Sequence, residues 1–87
     1  MWLVKLEFVP GDDAYERSSA DLAEVAGAVE QRFAPQRVVA HGTPSRFVVF
    51  AHVQSSAEAA AESWARDVLA EAVTVYLPDW RLELLEV

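Results

Sequence analysis

Apolar and polar positions alternate along the first stretch of the chain. Trp2, Val4, Leu6 and Phe8 form one uniform face, and Leu3, Lys5, Glu7 and Val9 form a mixed one. A period of two is the signature of a strand with one buried face. Pro10-Gly11-Asp12-Asp13 stops it. The pattern then changes period. Leu22, Val25, Ala26, Val29 and Phe33 recur at helical spacing. Ser18 with Asp21 is placed like a capping box at the start of this helix, and Pro35 stops it near Phe33.

A short strand over Arg37 to His41 leads to a turn at Gly42-Thr43-Pro44-Ser45. Arg46 to Val53 alternates again, with Phe47, Val49, Ala51 and Val53 inward. Two strands about a short Gly/Pro turn predict a hairpin. Ser55 with Glu58 forms a second capping box ahead of a helix. Its expected stripe is Ala57, Ala61, Trp64, Val68, Ala72 and Val75. The β-rich run Val73 to Leu77 suggests that this helix stops near Ala72. Trp80 to Val87 reads as a last strand with Trp80, Leu82 and Leu84 inward.

The order strand, helix, strand, strand, helix, strand predicts one α+β domain over 1–87, a ferredoxin-like plait. Two right-handed crossovers and one hairpin give an antiparallel sheet in order 4-1-3-2 with both helices on one face. The expected core is Trp2, Val4, Leu6, Phe8, Leu22, Val25, Val29, Phe33, Phe47, Val49, Trp64, Val68, Leu82 and Leu84.

Composition narrows the function classes. With 53% hydrophobic and 24% charged residues the chain is globular rather than disordered. A net charge of −7 repels phosphate backbones and anionic lipid, so neither nucleic acid nor a membrane is an expected partner. No apolar run is long enough to span a bilayer, and charges break the N-terminus before a signal-peptide core forms. A cytoplasmic location is the expectation. Without cysteine there is no disulfide, zinc-thiolate site or thiol nucleophile.

Candidate chemistry is sparse. By strand parity His52 shares the open sheet face with Lys5, Glu7 and Phe50, and a His–Glu pair there could move a proton. No nucleophile or oxyanion hole accompanies it, so no catalytic residue is assigned. Asp12, Asp13 and Glu16 have the oxygen chemistry of a calcium or magnesium loop but no EF-hand spacing. Acids ahead of a helix also suit its dipole, so neither a metal nor a cofactor is expected.

The RNA-recognition motif shares this element order. It stacks bases on aromatics of its first and third strands. The third strand here resembles that family's pattern only through Arg46 and Phe50. Phe47 stands at the family's glycine, Val53 at its final aromatic, and Leu3, Lys5 and Glu7 offer no platform. Val9-Pro10-Gly11 with Leu22-Ala23-Glu24-Val25-Ala26 is similar to the opening of an ACT domain, a family of amino-acid-binding regulatory modules. Asp12 to Arg17 intervene where that family runs almost directly into the helix.

The stronger signal is the open face itself. Leu3, Val9, Val48, Phe50, Leu85 and Val87 point there by parity, among Lys5, Glu7, Arg46, Arg81 and Glu83. An apolar patch ringed by charge marks a contact surface. Leu3, Lys5, Val48, Phe50, His52 and Leu85 are therefore the candidate interface, for a homodimer or another protein partner. A small-molecule pocket between sheet and partner, or a small enzyme using His52, are the alternatives.

Overall fold

The computed structural model describes all residues from Met1 to Val87. β1 (Trp2–Pro10) is followed by α1 (Ser19–Phe33), β2 (Val38–Thr43) and β3 (Arg46–Val53). A second helix and β4 (Trp80–Glu86) complete the chain. The strands form one four-stranded antiparallel sheet in order β2-β3-β1-β4, the order expected from the sequence.

The inward face of β1 points as the alternation predicts, although Trp2, like Val25, Phe33, Trp64 and Leu82 of the expected core, packs against the core only partly buried. Val4, Leu6 and Phe8 are buried, opposite Ala51, Val49 and Phe47 of β3. Leu22, Ala26 and Val29 of α1 join the same core, as do Ala61, Ala65, Leu69 and Val73 of the second helix. Both helices therefore cover one face of the sheet. Ser18 caps α1 by accepting the Asp21 backbone N–H at 3.1 Å. Trp2 and Trp80 sit at opposite ends of β1, paired with Val53 and Pro10 respectively.

Three local expectations are corrected. The first concerns the hairpin. Gly42 and Thr43 continue β2, so only Pro44 and Ser45 form the turn. Gly42 serves a close approach instead. A Cβ there would stand 2.8 Å from Phe47 Cδ2 and 3.0 Å from Leu22 Cβ.

The second concerns the helix after β3. It begins at Glu58 rather than Ser55, because the Ser55 hydroxyl is taken up by the backbone of Ala57. α2 (Glu58–Trp64), a π-helical turn Ala65–Leu69 and α3 (Ala70–Tyr76) then run on without a break, past the predicted stop near Ala72. Val68, expected in the core, is 45% exposed, and Leu69 is fully buried in its place. The buried set Ala61, Ala65, Leu69, Val73 and Leu77 repeats every fourth residue. An α-helix turns once in 3.6 residues, so that stripe would drift around a regular rod. The wider turn, closed by the Ala70 N–H to Ala65 C=O bond, takes up the drift.

The third concerns β4. Phe8 pairs with Leu82 and Glu7 with Leu84, so Glu83 is an extra residue, a β-bulge. A bulge reverses side-chain parity beyond it. Leu84, expected inside, faces the open side with Glu7. Leu85, expected at the interface, pairs with Leu6 and packs on the core, as does Val87.

The segment between β1 and α1 is pinned to the start of β4. Gly11 N–H donates to the Asp79 carbonyl at 2.9 Å, and Arg17 Nη2 donates to Asp79 Oδ1 at 2.9 Å. The Arg17 guanidinium also lies 4.2 Å from the centre of the Tyr15 ring. Burial raises the Asp79 carboxyl's affinity for a proton. The hydrogen bond and charge of Arg17, with backbone N–H donors, outweigh it and hold the group below its ordinary 3.8.

Candidate functional site

The face of the sheet away from the helices is uncovered. β1 presents Leu3, Lys5, Glu7 and Val9 there. β3 presents Arg46, Val48, Phe50 and His52. The pairing adds Val39, His41 and Thr43 from β2, and Arg81, Glu83, Leu84 and Glu86 from β4. Of the predicted contact residues, Leu3, Lys5, Val48, Phe50 and His52 come together on this face, and Leu85 does not. Val39 and Leu84 belong there although the alternation pattern alone does not single them out.

The face divides into two zones. At one end, Arg46 Nη1 donates to Glu7 Oε2 at 3.0 Å and Arg46 Nη2 lies 3.8 Å from Glu83. Lys5 Nζ lies 3.7 Å from Glu7. Exposed pairs of this kind are each worth at most about 1 kcal/mol. At the other end the surface is apolar. Leu3 is 52% exposed, Val39 53% and Phe50 37%. Val39 stands directly across from Phe50, and Lys5 directly across on the other side, with its ammonium 5.8 Å from the ring centre. Leu3 lies across from His52, whose Nδ1 is 3.3 Å from the sulfur of the exposed Met1.

His52 and Glu7 are not brought together. They are separated by four register positions, about 13 Å along the strands. Glu7 is engaged by Arg46 and Lys5 instead. Asp12, Asp13 and Glu16 are all solvent-exposed. No three His, Asp or Glu side chains converge in a geometry that could hold a metal ion, and no helix is long and apolar enough to cross a membrane.

Charge is unevenly spread. The open face carries three cations, Lys5, Arg46 and Arg81, and three anions, Glu7, Glu83 and Glu86. The face is therefore neutral, and the whole net charge of −7 belongs to the rest of the surface.

The two outer strands differ from this face. Each of β2 and β4 has one strand neighbour. On β2 the Ala40 N–H donates at 2.9 Å to Glu30 Oε2 of α1 rather than to another strand. A side chain thus occupies a donor that an added strand would need.

Beside the apolar zone, at the end of the sheet, is an open cleft of about 530 Å³. It is lined by Met1, Gln36, Arg37, His52, Val53, Gln54 and Trp64. Its sequence signal is weak, because its residues come from separate segments with no common spacing. Comparison with protein-family models, curated proteins and solved structures found no match to this chain.

Proposed function

We propose that the chain is a ferredoxin-like plait acting as a non-catalytic interaction module, and that it self-associates through the open face of its sheet. The observation that carries this reading is the exposed apolar zone of Leu3, Val39 and Phe50 on an otherwise charge-neutral face. Two copies of a molecule with net charge −7 repel each other wherever their acidic surfaces meet. The open face is where that repulsion is absent and where apolar burial, at about 25 cal/mol per Å², is to be gained. A two-fold axis through it would set each face against itself, and a face bearing Lys5, Arg46 and Arg81 beside Glu7, Glu83 and Glu86 has both signs to pair across that axis.

Light scattering across micromolar concentrations tests this, with the variant Phe50→Asp. In a single chain Asp at position 50 would stand across from Lys5, so the fold tolerates it. In a dimer it would bury a carboxylate away from water, which is strongly unfavourable. The expected result is a wild-type dimer and a folded Phe50→Asp monomer, with circular dichroism checking the fold. A wild-type monomer throughout that range overturns self-association. A dimer indifferent to Phe50→Asp moves the contact away from this face.

A further inference from the structure

The cleft at the end of the sheet is built within one chain, so a ligand held there needs no self-association. Its seven lining residues include no Asp or Glu, although the chain has fourteen of them. Two other clefts do carry acids: one contains Glu30, the other Asp21 and Glu24 together with Arg17. Lys5, Arg17, Arg46 and Arg66 are paired with carboxylates; of the three cations without such a partner, Arg32, Arg37 and Arg81, Arg37 is the one that lines this cleft. His52, Gln36 and Gln54 add groups able to donate hydrogen bonds, and the backbone C=O of Arg37 is fixed by the His52 N–H at 3.2 Å. Val53 and Trp64 supply an apolar wall. The Trp64 ring is held edge-on to Phe33, with centroids 5.8 Å apart.

We infer that this cleft binds a small organic carboxylate with a flat apolar body. The carboxylate would sit on Arg37 and the amides of Gln36 and Gln54, and the body against Trp64. A guanidinium takes a carboxylate through two parallel N–H bonds. The cleft volume of about 530 Å³ falls within the range of about 300–1,000 Å³ typical of sites for drug-sized ligands. The acidic remainder of the surface repels anions, so an uncompensated arginine in an acid-free cleft selects for them locally.

Naphthoate is a suitable probe, with naphthylmethanol and naphthylmethylammonium as its neutral and cationic counterparts. Nitrogen-edited NMR reads the side-chain amides of Gln36 and Gln54 and the Trp64 indole directly. Naphthoate should shift these signals saturably at millimolar concentration and bind more tightly than either counterpart. Arg37→Gln should weaken naphthoate about tenfold and leave the neutral compound unchanged. Arg32→Gln, which removes a cation from α1 outside the cleft, should change neither. Arg37 is exposed, so both variants should fold, and the same spectra verify it. Equal binding of anion and neutral compound, indifference to Arg37→Gln, equal weakening by Arg32→Gln, or no saturable shift would each overturn the assignment.

Discussion

Leu69 and Val68 are neighbours in sequence and opposites in environment, so truncating each to alanine tests the register of the whole second helix. Leu69 is fully buried, at the centre of the Ala61, Ala65, Leu69, Val73 stripe. Leu69→Ala removes three buried carbon groups, about 2.4 kcal/mol at about 0.8 kcal/mol each. The cavity left among close-packed neighbours brings the expected cost to about 3–4 kcal/mol. Val68 is 45% exposed on the flank of the helix, and alanine is the better helix former, so Val68→Ala should change stability by less than about 0.5 kcal/mol. A domain of 87 residues has about 4–13 kcal/mol in total, so the first loss is a large part of the whole. Urea denaturation followed by tryptophan fluorescence resolves the pair. With a slope of about 1–1.5 kcal/mol/M, the Leu69→Ala midpoint should fall by about 2–4 M and the Val68→Ala midpoint should barely move. If Val68→Ala cost as much as Leu69→Ala, the helix would be regular, and the π-helical turn and its stripe would be wrong.

The β-bulge makes a parallel claim. Leu85→Ala should cost about 2–3 kcal/mol in urea denaturation, whereas Leu84→Ala, on the open face, should cost under about 1 kcal/mol; the reverse order would abolish the bulge. The glycines separate in the same assay. Gly27 has nothing within 4 Å of an added Cβ, so Gly27→Ala should stabilise by about 1 kcal/mol. Gly42→Ala should destabilise by about 1–3 kcal/mol, because its Cβ would strike the buried Phe47 ring. Asp79 has its pKa lowered in the fold, so the stabilisation it draws from Arg17 is fully present above the ordinary carboxylate value of 3.8 and is lost as pH falls through the lowered one. Asp79→Asn should therefore be less stable than wild type at neutral pH, with the gap closing as pH drops below 3.8; a gap constant with pH would refute the pairing.

Strand positions were legible because alternation is a property of each residue's own backbone. Phe8, Leu6 and Val4 on β1, and Phe47 and Val49 on β3, needed only parity to be placed inside. The second helix was less legible because its sequence carries two competing stripes. One runs through Trp64, Val68 and Val75 at regular helical spacing, the other through Ala65, Leu69 and Val73 at a spacing of four. Periodicity favours the first. Packing against the sheet favours the second, since the alanines let the backbone approach and Leu69 then reaches the core. That choice is made by tertiary contact, and a single π-helical turn reconciles it with helical geometry.

The bulge at Glu83 failed to show for a related reason, and it bears on the open face directly. Nothing in Leu82-Glu83-Leu84-Leu85 marks an inserted residue, because parity alone would bury Leu84 and expose Leu85. The carboxylate of Glu83 lies 3.8 Å from Arg46, beyond the neighbouring strand, and both Glu83 and Leu84 oppose Glu7. One inserted residue thus has two consequences. It turns Glu86, which unbroken parity would point inward, onto the open face as a third anion, beside the Glu7 and Glu83 carboxylates that share the Arg46 guanidinium. It also exchanges Leu85 for Leu84 on the surface, which keeps an apolar side chain on β4 beside Lys5 and Glu7. The neutrality of that face against a net charge of −7 depends on this irregularity, because without Glu86 its three cations would meet only two anions. A β4 without the bulge would have exposed Leu85 and Val87 in place of Leu84 and Glu86. The open face is thus shaped by the position of one unpaired residue as much as by the alternation that made the sheet.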